Sequence, residues 1–131
     1  MIQDDLQSMG NSACLALCYL KAGLEMKGQS SYDQDLLNNL AMVYYSHMGI
    51  DADCWVYNPD LLFKALGLKV KVTKQNGNDV NAAEYVVANY HFNGKNHFVL
   101  YKNGQLYFNS LANSKCVQYG EIRDIRILQR V

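Results

Sequence analysis

The chain has 131 residues, half of them apolar, which is enough for one domain with a hydrophobic core of its own. Twelve lysines and arginines balance twelve aspartates and glutamates, and no run of five like charges occurs. That balance excludes the basic footprint of a nucleic-acid or membrane-surface binder, so neither nucleic acid nor membrane is expected as a partner.

Along the chain, Gly10-Asn11-Ser12 is a natural helix entrance, because Asn and Ser side chains accept hydrogen bonds from the first unpaired amides. The run from Ala13 to Leu20 that follows is apolar all round, which predicts a central, buried helix ending near Gly23 or Gly28. It is far short of the roughly 20 residues of a membrane span. Asp4 and Asp5 precede it where a signal peptide carries cations, so a cytoplasmic location is expected.

A second helix is predicted from Asp33 to about His47, with an apolar stripe of Leu36, Leu37, Leu40, Val43 and Tyr44 and a stop at Gly49. Asn58-Pro59-Asp60 opens a third, short helix: Asn58 caps it, Pro59 takes the first turn and Gly67 closes it. Composition then changes. Residues 69–74 alternate as a half-buried strand does, and Tyr85 to Phe92 reads as another. Asn103-Gly104 is a strong hairpin signal between the strands 97–101 and 105–109, and a last strand runs from about Ile122 to Leu128. Helices first and antiparallel strands afterwards is the α+β order, in a single domain over residues 1–131.

The cysteines are Cys14, Cys18, Cys54 and Cys116. Two of them lie four apart on one helix, where a mutual bridge is geometrically poor, and the chain is too aliphatic to need staples. They read as thiols in a reducing compartment. No Cys/His pair has finger-like spacing, so no metal site and no cofactor are expected.

A thiol nucleophile needs a lowered pKa, a base, and donors for the developing oxyanion. With Ser12 as cap, Cys14 falls in the first helical turn, where unpaired amides and the helix dipole favour thiolate. His97 opens a strand after the turn-like Asn93-Gly94-Lys95-Asn96 and is the best base. Pairing around Asn103-Gly104 places residue 97 near residue 109 or 110, within reach of a side-chain hydrogen bond, so Asn109 is placed to orient the imidazole. Gln3 and Gln7, upstream of the helix, are candidate oxyanion donors.

Each of these residues also has a structural reading. A cysteine on an apolar helix is commonly a small core residue, and Cys18, Cys54 and Cys116 are assigned that role. A histidine at the start of a strand can be a capping or surface residue, Asn109 can simply form a turn, and Gln3 and Gln7 can be solvated. His47 and His91 have no partner that the sequence identifies.

The order Gln, helix-start Cys, then His on a hairpin with Asn across from it resembles the papain-like cysteine peptidase superfamily. The chain looks closest to small bacterial members related to bacteriocin-processing peptidases, whose pattern is Gln, Cys-Gly-Pro-Ala at a helix start, then His-Phe-Val-Val-Leu and Asp-Pro. Asn96-His97-Phe98-Val99-Leu100 and Tyr107-Phe108-Asn109-Ser110 carry the second half of that pattern. Residues 1–5, 53–59 and 117–127 are similar to plasmid- and prophage-borne proteins of unknown function thought to share the fold. The resemblance implies a papain-like domain, N-terminal helices on a C-terminal antiparallel sheet, with a peptide or protein as substrate or partner.

Two framings of the site follow. In the relatives the nucleophile comes directly after the glycine, and that position here is Asn11. In the first framing the site is degraded: Asn11 replaces the cysteine, Gln3 is the relict donor, Cys14 is core, and the protein is a pseudoenzyme or a non-catalytic peptide-binding module. In the second, Cys14 is the nucleophile of an active peptidase or acyl transferase (a hydrolase-type enzyme), with His97, Asn109 and Gln7 completing the site. Residues 11 and 14 share a helix face but differ by roughly 4.5 Å along the axis. The departure at Asn109, where many of the bacterial relatives have aspartate, favours the degraded site.

Overall fold

The computed structural model describes residues 13–28, 59–109 and 114–131. The predicted helix from Asp33 to His47, and the caps proposed at Ser12 and Asn58, lie outside them.

Helix α1 spans Ala13–Met26 and is buried on nearly every side, as its unbroken apolar sequence requires. Leu15, Ala16, Cys18, Tyr19, Ala22 and Leu24 are all close to fully enclosed. The helix runs through Gly23, one of its two predicted stops, and Gly28 with φ +81° supplies the left-handed closure. Gly23 has a different task. A Cβ there would lie 2.4 Å from the Leu66 side chain, so its absence lets the second helix approach. That helix, α2 (Pro59–Ala65), inserts Leu62 and Phe63 into the core and stops at Gly67, φ +77°, as predicted.

Five strands follow: β1 (Val70–Asn76), β2 (Tyr85–Phe92), β3 (Lys95–Lys102), β4 (Gln105–Phe108) and β5 (Glu121–Arg130). A short helix, α3 (Lys115–Tyr119), precedes β5. The strands form one antiparallel sheet in the order β1-β5-β2-β3-β4, so the chain is α+β. Both hairpin turns use an Asn-Gly pair with positive φ, Asn93-Gly94 and Asn103-Gly104, the geometry that matches strand twist. The first turn is therefore two residues long. Lys95 and Asn96, predicted as turn, already pair with Phe92 and His91, and His97 is the third residue of its strand.

The sheet is covered on both faces, which is why β2 and β3 read as continuous apolar runs. Val87, Phe98, Leu100 and Leu128 face α1 and α2. Val86, Ala88, Val99, Ile125 and Ile127 form a second cluster on the other face, with Val80, Ala82, Ala83 and Val117 packed on it.

Candidate functional site

β4 is shorter than β3: Leu100 pairs with Phe108, and the amino half of β3 extends beyond its neighbour. The two cysteines of α1 lie at that open edge, and Cys116 of α3 meets β3 nearer its turn. The Cys18 thiol donates to the Phe98 carbonyl oxygen at 3.5 Å, and the Cys116 thiol donates to the Lys95 carbonyl oxygen at 3.7 Å. The Phe98 amide is directed at the Cys14 sulfur. Cys14 and Cys18, one helical turn apart, thus meet the N–H and the C=O of a single residue, and the start of α1 is fixed beside β3.

Cys14 is 8 % exposed and sits among core residues. Burial pushes its thiol above the ordinary value; the amides of Phe98, Leu15 and Cys14 itself pull the other way, and the nearby Cys116 thiol adds to the rise. Burial wins. Cys18, fully enclosed, is pushed up further for the same reason. Cys14, Cys18 and Cys116 form no disulfide among the described residues.

His97 is also buried, and its Nε2 lies 2.7 Å from the Asn109 carboxamide oxygen. A carboxamide oxygen only accepts, so Nε2 carries the proton and Nδ1 is the basic nitrogen. The structure brings this pair together just past Leu100–Phe108, the last pair of the β3–β4 ladder, which follows an irregularity between Tyr101 and Leu100. Strand alternation then sets the imidazole's direction. His97 lies directly across from Tyr90, on the face of Val99 and Tyr101, whereas Phe98 and Leu100 project toward α1. Cys14 therefore meets β3 at Phe98, while the imidazole of the preceding residue projects from the opposite face of the strand.

His97 also lines a cleft of about 1060 Å³ at the Asn93-Gly94 end of the sheet. Its lining includes a polar row that crosses three strands and ends against an aromatic ring on a fourth: register places Asn76 beside Asp124, Asp124 beside Asn89, and Asn89 beside Phe98. Asn89 donates from Nδ2 to Asp124 at 3.2 Å, and Arg126 donates to the other Asp124 oxygen at 2.7 Å. Arg126 in turn lies 4.7 Å over the Phe98 ring and bonds the Tyr19 hydroxyl of α1. Sequence reasoning missed this network. Part of its signal was present, since Asn89 interrupts the apolar run of β2; Asp124 and Arg126 do not stand out in β5, which also carries Glu121, Arg123, Gln129 and Arg130. His91, without a partner in the sequence reading, pairs through Nδ1 with Asn96 at 3.0 Å.

Gln3, Gln7 and Asn11 lie outside the described residues, as does Cys54. Among the described residues no helix is long and apolar enough to cross a membrane.

No curated protein and no solved structure matches the chain. A family match extends over residues 2–130, nearly the whole sequence. The chain belongs to DUF261, a family of proteins of unknown function.

Proposed function

We propose that this chain is a papain-like domain whose peptidase site is degraded, and that it works by holding a peptide or protein in the cleft beside His97. The supporting observation is the contrast between the two halves of the site. The imidazole–carboxamide pair is intact at 2.7 Å, whereas the Cys14 thiol is buried in the core and pushed up in pKa. A nucleophilic thiol needs the opposite environment, partly open and electropositive, with thiolate populated at neutral pH. Asn11, directly after Gly10, then occupies the position where the resembling peptidases carry their nucleophile.

Restoration tests this reading. Asn11→Cys is expected to gain a thiol that iodoacetamide alkylates faster than Cys14, Cys18, Cys54 and Cys116, with the gain lost on adding His97→Ala. A new thiol no faster than the others, or one indifferent to His97, would refute it.

One observation favours an active site instead. The amides of Cys14, Leu15 and Phe98 all act on the Cys14 sulfur in the sense that stabilises thiolate. That second reading requires the His97 ring, which strand alternation directs to the face away from α1, to turn so that Nδ1 takes the Cys14 proton while the sulfur attacks a peptide carbonyl carbon. The C–N bond breaks as the amine leaves with that proton, and water then hydrolyses the thioester.

A further inference from the structure

Among the described residues the cations around the cleft are not matched by anions. Lys74, Lys95, Lys115 and Arg123 line it and are all exposed, and the one carboxylate among the described lining residues, Asp124, is already engaged by Arg126. In a chain with no net charge this is a local excess of positive charge, of the kind that concentrates anionic ligands in a walled depression.

Between those cations the walls present carboxamides. Asn96 and Asn89 lie on β3 and β2, and Asn89 is almost wholly buried. Its Nδ2 is spent on Asp124, and its Oδ1 has no hydrogen-bond partner among the described residues. A buried acceptor without a donor is costly, and the exposed carboxamides of Asn76, Asn93 and Asn96 stand around it in the lining. Carboxamides offer both a donor and an acceptor, as a peptide backbone does.

A nucleic acid fits less well. Both aromatic side chains among the described lining residues are engaged: Phe98 is buried under Arg126, and the Phe92 ring leans on Tyr119 at 5.9 Å. Base stacking needs an open ring face, and nucleic-acid binders are basic overall, whereas this chain has a pI near 6.8.

We infer that the cleft binds an acidic peptide segment, with aspartates or glutamates on the Lys74, Lys95, Lys115 and Arg123 rim and the segment's backbone on the lining asparagines. The inference rests on the peptide-holding role proposed above and adds the class of peptide.

The test is a titration of the ¹⁵N-labelled full chain with oligo-glutamate, oligo-serine and oligo-lysine peptides and with single-stranded DNA of matched charge. Oligo-glutamate is expected to shift the amides of Lys95, Asn96, His97 and Lys115, more weakly as salt is raised. Lys95→Gln combined with Lys115→Gln is expected to weaken that binding about tenfold, the sum of two exposed charge contacts. Both side chains are exposed, and an otherwise unchanged spectrum checks the fold. Oligo-serine binding as tightly in the same cleft would overturn the acidic preference and leave the peptide-holding role standing. Tighter binding of DNA, or oligo-glutamate binding indifferent to the double variant, would overturn the inference. If no peptide of any charge moves these amides, both it and the proposed function fail.

Discussion

Cys18 donates its thiol hydrogen to the carbonyl oxygen of Phe98, the residue after His97, across 80 positions of sequence. This bond and the Phe98 amide directed at Cys14 explain how a helix from the start of the chain comes to lie against the strand that carries the imidazole. Cys18 has no exposed surface. Cys18→Ala is expected to cost about 1–3 kcal/mol, since it strands a buried carbonyl oxygen and leaves a small void. The urea midpoint reads it; an unchanged midpoint would mean that the contact contributes nothing.

The Asn109 carboxamide holds His97 in the tautomer protonated on Nε2. Asn109→Ala is expected to cost about 1 kcal/mol of stability and to give a mixture of imidazole tautomers, read from the ring ¹⁵N shifts. Retention of a pure Nε2–H form in the variant would mean that another group orients the ring.

Asp124 and Arg126 form a buried pair at 2.7 Å with Asn89 attached. Asp124→Ala leaves the guanidinium without its counter-charge between the Phe98 ring and Tyr19, at an expected cost of about 3 kcal/mol, read by denaturant unfolding. Replacing both residues with apolar ones is expected to recover most of that loss.

Much of this was legible in the sequence because the signals were local. An apolar run with no polar face predicts the enclosed α1, and Asn103-Gly104 fixes the hairpin that brings Asn109 to His97. The direction of the imidazole was not legible. It depends on which face of β3 is covered by α1: Phe98 and Leu100 take that face and His97 the other, and both faces of β3 are apolar enough that its sequence does not say which one the helix covers. Helix α3 has five residues, too few for a periodic pattern, and the buried Asn89–Asp124–Arg126 row joins strands that only the tertiary fold makes neighbours.

Stability should also depend on pH through the enclosed thiols. Burial raises the pKa of Cys14 and Cys18 in the folded chain above the unfolded value near 9.0. Below that value both states are protonated and the contribution is fully present. As pH rises past it, the unfolded chain loses the protons first and stability falls. The urea midpoint is therefore expected to drop between neutral pH and about pH 10, and to drop less in Cys14→Ala. A Cys14→Ala profile parallel to that of the parent chain would show that this thiol does not titrate differently on unfolding.

The most direct test of the degraded-site reading is the rate at which iodoacetamide alkylates each cysteine of the unmodified chain at neutral pH, followed by peptide mass spectrometry. A Cys14 rate no higher than those of the other buried thiols, and unchanged by His97→Ala, is the expected result. A Cys14 that reacts well ahead of the rest and slows when the imidazole is removed would contradict the account and make this chain a working thiol enzyme.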